Sequence, residues 1–318
     1  MHVRSNRVPR SGMHRRMHHD QRTLMRKATT VNAVAILGLA AASAMPVHAG
    51  VLYNNLTPTD AMGIASRPDG PDPDSFEIEA ADDFVLASHS FVTSASFIGI
   101  LLPGPSGALP TVSDVIIEMY RVFPKDSDTV RVPKVPTRTN SPSDVAFASK
   151  DAAGGDLAFA TSTLNASFTV LNSVQQGGIL AFPNQKTGGD GPLTGLEVQF
   201  NVAFTTPFDL PADHYFFVPQ VALDDGAQFY WLSASRPISG AGTTPFAPDL
   251  QAWTRDAGLD PDWLRVGTDI VGDGTTFNAA FSLTGSVPEP STLVLLLSAL
   301  LGSGVVRRRT TRGRNSSS

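Results

Sequence analysis

The chain of 318 residues contains no cysteine. This absence excludes disulfide bonds, thiolate metal sites and cysteine nucleophiles. Histidine is scarce as well, because the long body between Gly50 and Ser286 holds only His89 and His214, which are far apart in sequence. Neither is accompanied by a Gly-x-Ser-x-Gly nucleophile turn, and zinc-protease spacing, a P-loop and a dinucleotide fingerprint are missing too. No catalytic motif therefore stands out.

Basic residues are few in the same body. Between Gly50 and Ser286 there are 11 Lys and Arg residues against 27 Asp and Glu residues, so 11 minus 27 gives a formal net charge of −16, whereas the whole chain carries −5. The remaining basic residues are concentrated at the two ends of the chain. An acidic body repels phosphate backbones, which argues against nucleic acid as a partner. It attracts divalent cations, so calcium is the cofactor to consider.

Long helical patterns are also missing from the body. Apolar residues alternate with a period of two, and proline and glycine recur too often for a long helix to persist. Helical turns are expected only at 248–264, and an exposed loop is expected at 124–140. Short strands at this spacing predict an all-β fold, namely a single β-sandwich or jelly-roll domain over residues 50–285. The predicted strands are 52–56, 80–86, 91–102, 115–123, 168–174, 196–204, 214–223, 227–233 and 276–283.

The region before Gly50 has the parts of a secretory signal peptide. A short basic opening at 25–27 precedes an apolar segment at 31–44, which predicts a signal helix within 25–49. Small residues then form a cleavage site, which predicts a cut after Ala49. The residues that define this site are Val47, Ala49 and Gly50.

The first 24 residues are rich in Arg, His and Met and are not needed for such a signal. We interpret 1–24 as a non-native extension from a misplaced start codon, with Met25 as the true start. A long basic n-region is one alternative. A metal-binding cluster of His14, His18 and His19 is another, although it would be removed with the signal.

Three features follow one another at the end of the chain: Pro288-Glu289-Pro290, an apolar run of 14 residues from Leu293 to Val306, and three adjacent arginines. At about 1.5 Å per residue the run makes a helix of roughly 21 Å, short of the ~30 Å hydrocarbon core of a bilayer. The arginines would stay on the cytoplasmic side and stop further export. A plain membrane anchor is the alternative interpretation, but the helix is short for a permanent one.

This order resembles the PEP-CTERM sorting signal of Gram-negative bacteria, which an exosortase is thought to recognise and cleave. The resemblance covers 286–309, and the tail 310–318 is an additional basic and polar stretch. It implies an exported protein, held transiently in the inner membrane by the C-terminal helix, processed by an exosortase-like membrane protease, and located at the cell surface, in the outer membrane or outside the cell. The matching residues are Pro288, Glu289, Pro290, Arg307, Arg308 and Arg309.

Members of this family often occur in organisms that make extracellular polysaccharide, which implies a role linked to that polymer. Three short sequence segments of the body also resemble a β-sandwich module that recurs in PEP-CTERM proteins. They are 81–84, 230–232 and 277–285. That second resemblance supports one continuous domain and implies no mechanism.

Carboxylates in loops are the candidate calcium ligands, because calcium binds hard oxygen donors. Asp82 and Asp83 are expected where a loop enters a strand, and Asp224 and Asp225 in a turn before Gly226. The acids of 69–74 (Asp69, Asp72 and Asp74) offer a further set. None of these has the spacing of an EF-hand loop, and solvated turn acids are the alternative interpretation.

Aromatic residues are the candidate sugar-stacking groups. Trp253 and Trp263 are favoured because nearby Gly258 and Pro261 indicate a loop, although core packing is the usual fate of an aromatic side chain. These patterns favour a non-catalytic binding or structural role at the cell surface or in an extracellular matrix. A secreted polysaccharide-acting hydrolase that uses paired carboxylates is the alternative, since two acids from any strands can perform that chemistry.

Overall fold

A computed structural model of the chain describes residues 49–70, 76–128, 130, 139–175, 186–235, 250–257, 263–272 and 275–288. The predicted N-terminal extension, the signal helix up to residue 48, the C-terminal helix at 293–306 and the tail at 310–318 lie outside these residues. No helix within the described ranges has the length and apolar character needed to cross a membrane. The described strands all belong to one compact unit, Val47–Ser291.

The described part of the chain contains fifteen strands in two sheets, which confirms the predicted all-β sandwich. A short π-helix spans Val266–Val271. The first sheet comprises β1 Gly50–Asn54, β2 Pro58–Ala65, β4 Ser90–Leu102, β7 Leu157–Val170, β8 Ser173–Val174, β9 Leu193–Leu210, β11 Gln228–Ala234, β14 Asn278–Ala279 and β15 Phe281–Ser286. The second comprises β3 Ile78–Leu86, β5 Val112–Arg121, β6 Ala148–Asp151, β10 Asp213–Leu223, β12 Trp253–Asp256 and β13 Leu264–Arg265.

Strand β4 organises the first sheet. Its 13 residues pair with β9 along one edge and with β15 and then β11 along the other, so two shorter ribbons join one long strand. Strand β7 pairs with β9 and lies at the far side of this sheet. The second sheet has the order β13-β12-β3-β10-β5-β6. The pairings in both sheets are antiparallel except for the short parallel pair β2–β8.

Aromatic rings fill the space between the two sheets. Alternate residues of a strand point to opposite faces, so Phe217 of β10 reaches the core from the second sheet while Phe281 of β15 reaches it from the first. Their rings stack with centroids 4.8 Å apart. Tyr53 stacks on Phe281 at 4.4 Å, and Trp231 meets it edge-on at 5.7 Å. This cluster closes the sandwich without any covalent link.

The structure corrects several predicted elements. Residues 248–264 were expected to form helical turns, but Trp253–Asp256 is a strand that pairs with β3. Strands β2, β6 and most of β7 were not predicted. Polar residues occur on both faces of β7, so the alternation that marks a half-buried strand is absent there.

Replacing Phe281 by alanine tests the inter-sheet packing. The ring is fully buried and touches aromatic groups of both sheets, so its loss should lower the free energy of unfolding by about 3–5 kcal/mol. Val51→Ala is the matched control, because Val51 is 70% exposed on the neighbouring β1 and its truncation should change stability by less than about 0.5 kcal/mol. Urea unfolding measures both. Equal effects of the two changes would contradict this packing scheme.

Candidate functional site

Polar side chains gather in two places in the described structure. One is a cleft at the end of the sandwich where β10 turns into β11, which we call the end cleft. The other lies on the outer face of the second sheet and contains Glu79, Glu118, Tyr120 and Arg255, which we call the carboxyl cluster. The end cleft is open to solvent, whereas Glu79, Tyr120 and Arg255 of the carboxyl cluster are buried and Glu118 is half-buried.

The end cleft has a volume of about 620 Å³. One wall is the segment Arg67–Gly70 that follows β2, and the other is formed by the end of β10, the turn that follows it and the start of β11. Ser113 and Gln175 complete the lining. The chain passes from the second sheet to the first at this turn, so the cleft lies where the two sheets separate.

The turn between β10 and β11 is held in place by neighbouring loops. Asp225 has a positive φ of 59° and is followed by Gly226 at 64°, a backbone shape that aspartate and glycine tolerate well. The Asp225 carboxylate accepts hydrogen bonds from the backbone N–H of Ser106, at 3.1 Å, and from its hydroxyl. A side chain on Gly104 would collide with the Asp225 carbonyl, since an added Cβ would lie 1.7 Å from that oxygen. The acidic wall is therefore fixed before any ligand arrives.

Arg67 supplies the positive charge of the opposite wall. Its Nε donates a hydrogen bond to the Phe76 carbonyl at 3.1 Å, and its guanidinium lies 5.3 Å from the centre of the Phe76 ring. Partial burial lowers the pKa of Arg67 from its usual value, but an arginine stays charged at all physiological pH values. The end cleft thus presents a fixed cation, carboxylates and amides to solvent. Such groups can donate and accept hydrogen bonds with a hydroxyl-rich ligand.

The carboxyl cluster joins three strands of the second sheet. Arg255 of β12 lies opposite Glu79 of β3, and its Nε forms a buried ion pair with the Glu79 carboxylate. Tyr120 of β5 donates its hydroxyl proton to Glu79, with 2.5 Å between the oxygens, and the same hydroxyl lies 3.1 Å from Glu118 Oε2. Arg255 Nη2 donates to the Tyr120 oxygen at 3.1 Å. The Tyr120 hydroxyl therefore connects Glu79 with Glu118, and Arg255 bonds to both Glu79 and Tyr120.

Burial and the adjacent acid decide the protonation of this cluster. Loss of solvation, followed by the negative charge of Glu79, raises the pKa of Glu118 to about 8, so that carboxyl is mostly neutral at neutral pH. The same burial raises the pKa of Tyr120 well above its ordinary value. Trp263 covers the cluster, with its ring 4.6 Å from the Arg255 guanidinium carbon and its Nε1 bonded to the Ser143 carbonyl at 3.0 Å. The arrangement is a mostly buried polar cluster in which Glu118 keeps partial contact with solvent.

The carboxyl cluster does not have the geometry of a carboxylate-pair hydrolase site, and the hydrolase alternative stays a prediction. Glycoside hydrolysis requires two acids roughly 5 to 10 Å apart on either side of an accessible bond. Here the Tyr120 hydroxyl bonds to Glu79 and lies 3.1 Å from Glu118, and the two carboxyl groups bond to each other, so no open gap for a substrate separates them. The carboxyl cluster instead stabilises the outer face of the second sheet. Sequence reasoning missed it, and the signal was an acid at every second outward position of otherwise apolar strands.

The structure places the predicted calcium ligands in two separate environments. Asp82 and Asp83 were expected at the mouth of a loop, but both are buried in the middle of β3. Asp82 accepts a hydrogen bond from the Ala279 N–H at 2.9 Å, and Asp83 pairs with His214 Nε2 at 2.6 Å.

The other predicted ligands belong to loops. Asp224 and Asp225 line the end cleft together with Asp69, while Asp72 and Asp74 lie outside the described residues. Across the described ranges, no group of three or more acidic or histidine side chains is arranged to hold a metal ion. A calcium site involving Asp82, Asp83, Asp224 or Asp225 stays a prediction.

The predicted sugar-stacking pair does not fit its observed surroundings. Trp253 and Trp263 are 2% and 0% exposed, so neither ring offers a face to solvent. Both belong to the cluster of side chains on the outer face of the second sheet, where they pack with Phe216 and Val218. The nearby Gly258 and Pro261, which indicated a loop, lie outside the described residues.

The predicted processing sites flank the sandwich. Ala49 and Gly50 are exposed, and Gly50 begins β1, whereas Val47 lies outside the described residues. Of the sorting signal, Pro288 follows the last strand β15, and Glu289, Pro290, Arg307, Arg308 and Arg309 lie outside the described residues. Strands β1 and β15 pair with each other, so both ends of the sandwich chain leave it from adjacent strands.

Glu118→Gln tests the electrostatics of the carboxyl cluster. Glu118 has an ordinary pKa of 4.5 when unfolded and about 8 when folded, so between these values the folded state holds a proton that the unfolded state has released. The free energy of unfolding should therefore fall as pH rises from about 4.5 to 8. The glutamine variant should lack this pH dependence of the free energy of unfolding. It should therefore be more stable than the parent chain at pH 8 by more than about 1 kcal/mol.

Urea unfolding of both proteins across this pH range measures the difference. Asp209→Asn is the control, because Asp209 is an exposed acid paired with His89 and should leave the pH dependence of the parent nearly unchanged. Parallel pH profiles for the parent and Glu118→Gln would contradict a raised pKa.

The comparisons with known proteins bear on the end of the chain. A family model described as the PEP-CTERM protein-sorting motif matches residues 286–309. Searches of curated proteins and of solved structures gave no significant match. The match confirms the resemblance drawn from Pro288-Glu289-Pro290 and the residues that follow. The chain therefore carries a PEP-CTERM sorting signal at 286–309, and that signal implies export to the cell envelope of a Gram-negative bacterium with exosortase-dependent sorting.

Proposed function

We propose that the sandwich at 50–285 is a non-catalytic binding module of the cell surface or extracellular matrix, and that it holds exopolysaccharide in the end cleft. The observation that carries this proposal is the fixed cleft of about 620 Å³ with Arg67 on one wall and Asp224 on the other. Sugars are bound through many hydroxyl groups, each of which both donates and accepts hydrogen bonds. Cationic, anionic and amide side chains side by side suit such a ligand.

The negative charge of the body limits which polysaccharides the end cleft can bind. A net charge of −16 between Gly50 and Ser286 repels polymers rich in carboxylate or sulfate groups. A neutral polysaccharide meets no such barrier. An anionic polymer would need a bridging divalent cation, for which the exposed acids Asp69 and Asp224 of the end cleft are available. Whether binding requires calcium therefore indicates whether the bound polysaccharide is anionic or neutral.

Substitutions in the end cleft test this proposal. Arg67→Gln and Asp224→Asn each remove a charge from one wall. Each should weaken binding of the purified fragment 50–288 to its polysaccharide at least about tenfold, since a charged hydrogen bond contributes about 1.5–3 kcal/mol. Asp209→Asn is the matched control, an exposed acid on β9 that pairs with His89 near the opposite end of β4. Glycan-array binding and titration calorimetry measure the effect.

The same array read with and without a chelator separates the two polymer classes. Binding to neutral glycans that a chelator leaves unchanged supports direct recognition. Binding to acidic glycans that a chelator abolishes supports a calcium bridge. No binding to any glycan under either condition, or equal losses in Asp209→Asn and Asp224→Asn, would contradict the proposal.

Processing of the C-terminal signal is tested on the chain expressed in a Gram-negative host that has an exosortase. Alanine in place of Pro288, Glu289 and Pro290 removes the motif while the apolar run and the arginines remain. We expect the altered chain to keep its C-terminal segment and to accumulate in the inner membrane, whereas the parent chain loses that segment. Intact-mass spectrometry of membrane fractions distinguishes the two. Asn315→Ala, in the tail, is the control, and it should be processed like the parent; retention of the segment by the parent as well would contradict exosortase cleavage.

A further inference from the structure

Strand β7 stands out among the edges of the first sheet. It has 14 residues, and among the described residues its backbone pairs with β9 on one side alone. Most of its side chains are exposed. The sequence from Leu157 to Val170 contains no charged residue, no proline and no glycine. Charges, proline and short length are the usual means by which proteins prevent an edge strand from pairing with another chain, and β7 has none of them.

The two halves of β7 differ in regularity. Residues 157–163 pair one for one with 204–198 of β9, whereas the pairing register shifts twice between Thr163 and Phe168. Such bulges twist a strand and disfavour the addition of another one. The regular half, which we call the open edge, therefore has the geometry to accept a further strand.

The bulged half of β7 borders an uncharged groove, whereas the exposed Asp156 directly precedes the open edge. A groove of about 260 Å³ beside the bulged half is lined entirely by uncharged residues, among them Pro103, Leu109, Ala166 and Leu196. This contrasts with a body whose formal net charge is −16. Two copies of the body repel each other wherever acidic surfaces face one another. Because 157–170 contains no charged residue, two copies can approach along β7 with less repulsion than between acidic surfaces.

We propose that a second copy of this chain adds to the open edge, with β7 pairing antiparallel to β7 around a two-fold axis. A strand that pairs with its own copy forms a closed, self-complementary contact. An axis at Ala160 sets Phe159 opposite Thr161 and Ala158 opposite Ser162 on both sides. Aromatic residues opposite β-branched residues are favourable cross-strand pairs. The first sheet then continues from one copy into the other.

One strand pair buries less surface than a standard protein interface, so this dimer is weak and forms at the high local concentrations of a cell surface. Its salt dependence has a defined sign. Salt screens the repulsion between the two acidic bodies, and the contact itself contains no ion pair, so dimerisation strengthens with ionic strength. An interface based on salt bridges would weaken instead. The proposal is independent of the polysaccharide proposal, since β7 contributes nothing to the end cleft.

Analytical ultracentrifugation of the fragment 50–288 tests the proposal. The dimer fraction should increase with protein concentration up to about 0.5 mM and between about 0.05 M and about 0.5 M NaCl. Ala160→Asp sets two carboxylates across the axis and should weaken dimerisation at least about tenfold. The matched control is Val51→Asp, which adds the same charge at an exposed position on β1, another edge strand of the first sheet.

A second measurement uses the absence of cysteine. Ala160→Cys should form a covalent dimer on mild oxidation, and Val51→Cys should do so much more slowly. Circular dichroism and urea unfolding establish that each variant is folded. A fragment that stays monomeric at every concentration and salt overturns the proposal. So does dimerisation of Ala160→Asp that equals the parent, or cross-linking of Val51→Cys that is as fast as that of Ala160→Cys.

Discussion

The stacking of Phe281 on Phe217 is the contact on which the sandwich depends. Each ring comes from a different sheet, and Trp231 and Tyr53 pack around them from the first sheet. The chain has no cysteine, so burial must supply what disulfides supply in many exported domains. A core of large aromatic rings suits this need because each ring removes much apolar surface from water. The two sheets are thereby held firmly enough to position the loops at their ends.

The end cleft and the open edge both follow from how the two sheets differ in extent. The chain leaves the second sheet at Leu223 and enters the first at Gln228, and the turn between them forms one wall of the cleft. On the other side, the first sheet extends through β9 to β7, where inward-facing Thr161 and Thr163 are exposed. The second sheet does not cover them. One architecture thus offers a polar concave end and an uncharged edge.

The carboxyl cluster shows how an acidic chain tolerates buried charge. Arg255 neutralises Glu79, Glu118 gives up its charge as its pKa rises to about 8, and Tyr120 supplies the hydrogen bond between them. A buried ion pair by itself contributes little to stability, because desolvation offsets the attraction. A full set of partners is what makes the group acceptable in the interior. The cluster also covers the outer face of the second sheet, together with Trp253 and Trp263.

Much of the fold could be predicted from local pattern, whereas the site could not. Strand β4 was predictable from its alternation and β10 from a run of apolar residues that are buried on both faces, and the two predicted ranges fall within the observed ones. Strand β7 escaped prediction because both of its faces are exposed. Asp82 and Trp263 were assigned to loops and surfaces from their neighbours in sequence, yet their environment is set by strands far away in the chain. The sorting signal was predictable because it is defined by consecutive residues and does not depend on distant parts of the chain. The family model confirmed it.

We propose that the N-terminus, like the C-terminal sorting signal at 286–309, directs the export of one sandwich domain. Mass spectrometry of the protein recovered from fractionated cells of a Gram-negative bacterium tests this most directly. The account predicts a polypeptide in the envelope or the medium that begins at Gly50 and lacks Arg307–Arg309. Recovery of the intact chain, from its first residue to Ser318, in the cytosol would contradict it.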